Sequence, residues 1–234
     1  TRYSGNPLAL KLVAQTVQEL FGGDIAGFLA IDAPIFDDIR LVLDQQFARL
    51  SPLEQELLLW LAVERAPVSA TILRANLVQP PPMPRFLEAL RALQRRSLLE
   101  NVGAGVTLQN VVIEYLTEQL VERICGEIEI ELGITNYELR KASSNEESVT
   151  RNSKLVNSFL NRHALLKAQA TESIRQSQTR LLLQPVIDRL LARVGKAHLA
   201  TQIQRLLTTL RHAAPLTPGY AGGNLLNLLL ALGL

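Results

Sequence analysis

A chain of 234 residues that is 47% apolar is long enough to bury a core and to fold as one, two or three small units. Its formal charge of +2 argues against a partner recognised by bulk charge, whether nucleic acid or anionic membrane. The single cysteine, Cys125, excludes an internal disulfide framework and a multi-thiolate zinc site. The longest apolar run, Leu225 to Leu234 with Asn227 inside it, falls well short of the roughly 20 residues of a membrane-spanning helix. A cytoplasmic protein without a membrane partner is expected. The chain begins Thr1-Arg2-Tyr3-Ser4 with a motif already under way at Gly5 and closes on an apolar tail, so both ends read as cuts in a longer polypeptide.

Gly5-Asn6-Pro7 starts a helix, because proline has no amide hydrogen to waste in the first turn. That helix runs from Leu8 to Phe21, with Leu8, Leu12, Val13, Thr16, Val17 and Leu20 near helical period, and Gly22-Gly23 supplies a left-handed stop. Asp24 caps a short helix through Leu29. A further helix covers Ile35 to Leu50, with Ile39, Leu43, Phe47 and Leu50 on one stripe and Asp37, Asp38, Arg40, Asp44 and Arg49 off it. Residues 1–50 therefore read as a helical bundle.

Ser51-Pro52-Leu53-Glu54 combines a serine cap, a proline at the first helical position and a glutamate at the third, the signature of a capping box. The helix it opens turns Leu53, Leu57, Leu58, Trp60 and Leu61 inward and ends near Glu64 to Pro67. Ser69 caps a short helix to about Val78, and Pro80-Pro81-Pro82 breaks the chain. Pro84 opens a third helix with Phe86, Leu87, Leu90 and Leu93 inward and Arg85, Arg91, Arg95 and Arg96 outward. Leu98-Leu99-Glu100 and Val106-Thr107-Leu108 read as strands joined by the loop Asn101 to Gly105. Three helices and a hairpin make a winged helix, so residues 51–132 are assigned to that unit, including a long helix from Asn110 to about Glu131. Residues 133–153 carry the composition of a linker or loose loop. Residues 154–234 form a helical connector, with helices over Lys154 to Thr179, Leu181 to Arg193 and His198 to His212 and a turn region from Pro215 to Gly223. The expected fold class is mainly α: a helical bundle, a winged-helix domain with a small β-hairpin, then a second helical region.

In this order the parts resemble the NB-ARC family of signalling ATPases, which includes apoptotic-protease activating factors, plant resistance proteins and many bacterial members. The similarity lies in Gly5-Asn6-Pro7-Leu8-Ala9-Leu10, the winged helix, and a strand running into Leu108-Gln109-Asn110-Val111-Val112-Ile113-Glu114-Tyr115, and it covers residues 1 to about 130. It implies that Gly5 and Pro7 belong to a Gly-x-Pro motif whose proline packs on the adenine ring. At the place of the family's Met-His-Asp triad stands Leu108-Gln109-Asn110, with Gln109 where the histidine faces the diphosphate of ADP. Gln109 donates a neutral hydrogen bond and carries no positive charge, so the implied grip is weaker and less pH-sensitive, or Gln109 only orients the helix. The ending Pro218-Gly219-Tyr220-Ala221-Gly222-Gly223-Asn224 looks like the connector of cyanobacterial members that carry a C-terminal array such as WD repeats.

The 234 residues contain neither a Gly-x-x-x-x-Gly-Lys-Ser/Thr loop nor an apolar strand ending in an acidic magnesium ligand. The resemblance thus implies a chain that is not an enzyme by itself and holds no metal. It would close as a regulatory lid over ADP or ATP held by an upstream P-loop domain of the same polypeptide. Downstream repeats would be its second partner, and a homo-oligomer would form on activation. The alternative is a winged-helix transcription regulator, since the third helix of such a unit enters the major groove and arginine reads guanine there; Glu88, Glu100 and the near-neutral charge weigh against DNA. A purely structural helical adaptor is a third reading. Taken alone, Gly5-Asn6-Pro7 is only a helix start, and Gln109-Asn110 is a strand-to-helix corner with Asn110 as a cap. His163, His198 and His212 lack metal-ligand spacing, Cys125 reads as a buried small residue, and Asp37, Asp38 and Asp44 do not make an acid and base pair.

Overall fold

The computed structural model describes residues 14, 17, 18, 21–30, 39–131, 158–213 and 218–233. Gly5, Pro7, Asp37, Asp38 and the linker 133–153 lie outside the described residues, as does most of the first expected helix. The described chain is mainly helical with one two-stranded antiparallel sheet, as expected. Its elements are α1 (Ile25–Ala30), α2 (Ile39–Ala48), α3 (Pro52–Glu64), α4 (Ala70–Ala75), α5 (Met83–Arg95), β1 (Glu100–Val102), β2 (Gly105–Thr107), α6 (Asn110–Glu131), α7 (Phe159–Arg162), α8 (Glu172–Gln178), α9 (Gln184–Val194), α10 (Lys196–Ala213) and α11 (Ala221–Ala231). Among the described residues no helix is long and apolar enough to cross a membrane.

Local signals act where the sequence places them. Gly22 and Gly23 take φ of 58° and 91°, and the Asp24 carboxylate accepts from the Gly27 amide at 3.0 Å to start α1. At α3 the Ser51 amide donates to Glu54 Oε2 at 2.7 Å, and the Glu54 amide donates to Ser51 Oγ at 3.3 Å, a complete capping box. Ser51→Ala is expected to cost about 1 kcal/mol, seen as a lower denaturant midpoint at unchanged slope. No change in midpoint would mean that tertiary packing alone fixes this end of α3.

Every residue from Leu57 to Glu64 is buried, which marks α3 as a helix covered on all sides. One face meets the rest of the winged helix, where α5 buries Phe86, Ala89, Leu90 and Leu93. Leu87, expected inward, is 38% exposed, because it sits one residue off that stripe, about 100° around the helix. The ladder pairs Glu100 with Thr107 and Val102 with Gly105, so the turn is the dipeptide Gly103-Ala104 rather than a five-residue loop. Leu98 and Leu99 stay buried ahead of the ladder instead of joining it. Val68 adds a single rung, exchanging amide bonds with Val106 at 3.0 and 2.9 Å. A Cβ on Gly105 would stand 3.1 Å from the Val68 backbone, which is why glycine suits this crossing.

The 22-residue α6 is the spine. Its buried residues Val112, Tyr115, Leu116, Leu120, Val121, Ile124, Cys125 and Ile128 span two faces, one packed on α3 and α2, the other on α7 and α9. The expected helix over Lys154 to Thr179 is instead interrupted: α7 ends at Arg162, and His163 takes an extended conformation of φ −129°, ψ 136°. Side chains from distant elements hold the interruption in place. The π turn Thr179–Leu183 joins α8 to α9. Pro185 has no amide for the carbonyl of Leu181, and the Gln184 amide reaches back to Thr179. Gly222 and Gly223, expected in a turn, fall inside α11.

Candidate functional site

Gln109 is half-buried at the corner between β2 and α6. Its carbonyl accepts from the amides of Val112 and Ile113 at 2.9 and 3.0 Å. The cap position therefore belongs to Gln109 and not to Asn110, which is the first helical residue and is exposed. The Gln109 side chain stands at the amino end of a long helix, where free amides and the helix dipole favour negative charge. Gly5 and Pro7 lie outside the described residues.

The exposed side of α5 carries Arg85 and Arg91 with Glu88 between them. Arg96, expected outward, is half-buried, with Nη1 fully enclosed. The hairpin from Glu100 to Thr107 has no lysine or arginine, so the usual second contact of a winged helix with phosphates has no cation to make it.

Among the described residues the richest polar construction lies elsewhere, where the segment from Ser158 to Lys167 is wedged between α3, α6 and α11. Glu127 on α6 accepts the amides of Phe159 and Leu160 at 2.8 and 2.9 Å. Asn224 on α11, 1% exposed, accepts the Leu165 amide at 2.8 Å and donates to the carbonyls of Leu160 and His163 at 2.8 and 2.7 Å. Gln178 accepts the Lys167 amide at 3.0 Å and donates to the Val63 carbonyl at 2.8 Å. The Lys167 ammonium bonds the buried Glu64 carboxylate, which also takes a hydrogen bond from Asn76. Tyr220 donates to the Asn76 carbonyl at 2.9 Å. Trp60 sits 5.0 Å from Tyr220 and 5.6 Å from His163, ring centre to ring centre. Each of these contacts substitutes for a backbone or charge partner that burial removed.

Among the described residues, Cys125 and Asp44 are engaged in the packing of α6. Burial pushes the Cys125 thiol up to about 11, and its Sγ donates to the Val186 carbonyl at 3.9 Å, which suits a packing residue and not a nucleophile. Asp44 accepts the Tyr115 hydroxyl at 2.6 Å. His198 and His212 are exposed on α10 while His163 is fully buried. Among the described residues no three metal-binding side chains converge. An apolar crevice between α2, α3 and α6, lined by Leu43, Phe47 and Tyr115 among others, has room on the scale of one water.

No motif singles out Glu127 or Gln178, and Asn224 enters the sequence only as part of the connector-like ending. Their signal is a lone polar residue on an otherwise apolar helical face, as Asn224 is ahead of Leu225, Leu228 and Leu229.

No protein-family model and no solved structure matches the chain. It is similar, with 40% identity over 248 residues, to an uncharacterised WD repeat-containing protein of Nostoc sp.. The match covers 98% of this chain and 19% of that protein, so the chain spans about a fifth of its relative's length.

Proposed function

We propose that this chain is the regulatory lid and switch portion of a nucleotide-dependent signal-transduction ATPase. It closes over ADP or ATP held by an upstream P-loop domain, with Gly5 and Pro7 at the base and Gln109 at the phosphates, and it performs no catalysis by itself. The observation that carries this reading is the position of Gln109: it caps α6, and α6 is the helix on which both the winged helix and the C-terminal helices build their cores. A change in what Gln109 contacts thus reaches both regions through one rigid element, and such coupling needs different contacts in two states. The similarity to a WD repeat-containing protein supports repeats as the element that the C-terminal helices communicate with. Duplex DNA is the weaker alternative, since the hairpin lacks basic residues and Glu88 interrupts the arginines of α5.

The test uses the parent polypeptide that includes the upstream region. Denaturing it and chromatographing the released nucleotide should show bound ADP. Gln109→Ala should speed ADP exchange about three- to tenfold, the effect of one neutral hydrogen bond. A parent empty of nucleotide, or exchange unchanged in the variant, would sink the assignment.

A further inference from the structure

The seam between the winged helix and the C-terminal helices contains a titratable ring that the proposed switch does not use. His163 has 0% exposure. Its ring lies 5.6 Å from Phe159, tilted by 11°, and 5.6 Å from Trp60, tilted by 37°. Neither ring nitrogen has a hydrogen bond of normal geometry. We propose that His163 is an acid-sensitive latch: neutral and stacked between Trp60 of the winged helix and Phe159, it holds the C-terminal helices docked, and a proton taken up on its ring expels them. The latch follows from the packing of the seam and stands apart from the nucleotide role proposed above.

The surrounding charges make the imidazolium unwelcome. From its own segment Arg162 lies 5.3 Å over the Phe159 ring, and from α6 Arg123 lies 4.8 Å over the same ring. The carboxylates nearby are engaged: Glu127 holds two amides of α7, Glu56 on α3 faces Arg162 at 3.8 Å, and Glu64 holds Lys167 and Asn76. From α11 and its cap come the uncharged Asn224 and Tyr220. A protonated His163 would be a third cation against Phe159, out of reach of water.

Burial first, then Arg162 and Arg123, push the imidazole down to about 3 from 6.5, against the opposing pull of the Phe159 and Glu56 carbonyls. A group with a depressed value in the docked state stabilises docking fully above the free value. That contribution is lost as the pH falls below it. The ratio of docked to undocked chain should therefore drop about tenfold per pH unit below 6.5, about 100-fold by pH 4.5. Glu56 works the other way, since burial raises its carboxyl, and the His163→Phe variant, which keeps Glu56, separates the two.

Trp60 is the sole tryptophan and touches the latch, so its emission reports docking directly. Between pH 7 and 4.5 the emission of the chain should move to the red while far-ultraviolet circular dichroism keeps its helical signal. His163→Phe preserves the stack without a titratable proton, and its emission should stay blue until carboxylates protonate. A shared acid midpoint for parent and variant, or a red shift accompanied by loss of helicity in both, would overturn the latch. Should His163→Phe misfold at neutral pH, NMR titration of the parent's imidazole decides. A ring titrating near 6.5 with Trp60 still buried rejects the proposal, and a ring neutral until Trp60 moves supports it.

Discussion

Asn224→Leu is expected to cost the chain about 4 kcal/mol, more than any surface substitution would. Leucine fills a similar space but leaves the Leu165 amide and the carbonyls of Leu160 and His163, all bonded to Asn224, without partners. Each unpaired buried group costs about 1–3 kcal/mol, and water cannot reach a site where Asn224 is 1% exposed. Asn224→Asp should fare no better, because its oxygens keep the amide bond yet set an acceptor against two carbonyls. Equilibrium denaturation gives the magnitude, and hydrogen exchange at the Leu165 amide gives the location. A loss below about 1 kcal/mol with unchanged exchange at Leu165 would show that the segment after α7 is held by apolar packing and that Asn224 is incidental.

Lys167→Met should be the second large effect, about 2–3 kcal/mol, because it strands the Glu64 carboxylate inside the seam with Asn76 as its remaining partner. Most of that loss should return when Glu64→Gln is added, since glutamine keeps an acceptor for Asn76 and carries no charge. A double-mutant cycle separates this from lost packing of the lysine stem. If the double variant is as unstable as Lys167→Met alone, the stranded charge is not the cause, and the alkyl stem against the C-terminal end of α3 is.

The sequence carried the local decisions well because they are made by neighbouring residues. Ser51 and Glu54 cap α3, Asp24 caps α1, Ser69 caps α4, and the order of helices and hairpin in the winged helix follows from spacing and turn residues. The partly legible parts failed by small geometric margins. Leu87 is apolar but one position off the buried stripe, and the hairpin turn is shorter because Gly103 accepts φ of 58°. The family resemblance points to Gln109, while its place as the cap of α6 comes from the amides that its carbonyl accepts.

What the sequence by itself determined is the mainly helical class, the winged-helix order, the capped helix starts and the packing character of Cys125. Tertiary structure decided that α3 is buried on every side and that the helix expected over Lys154 to Thr179 breaks at His163. It also decided that polar residues scattered from Glu56 to Asn224 meet in one seam. The physical reason is range. A cap or a turn is settled within about four residues, whereas a broken helix survives only if distant side chains satisfy its freed amides and carbonyls. Asn224, Glu127 and Gln178 do this from three other helices, at separations that no local pattern encodes.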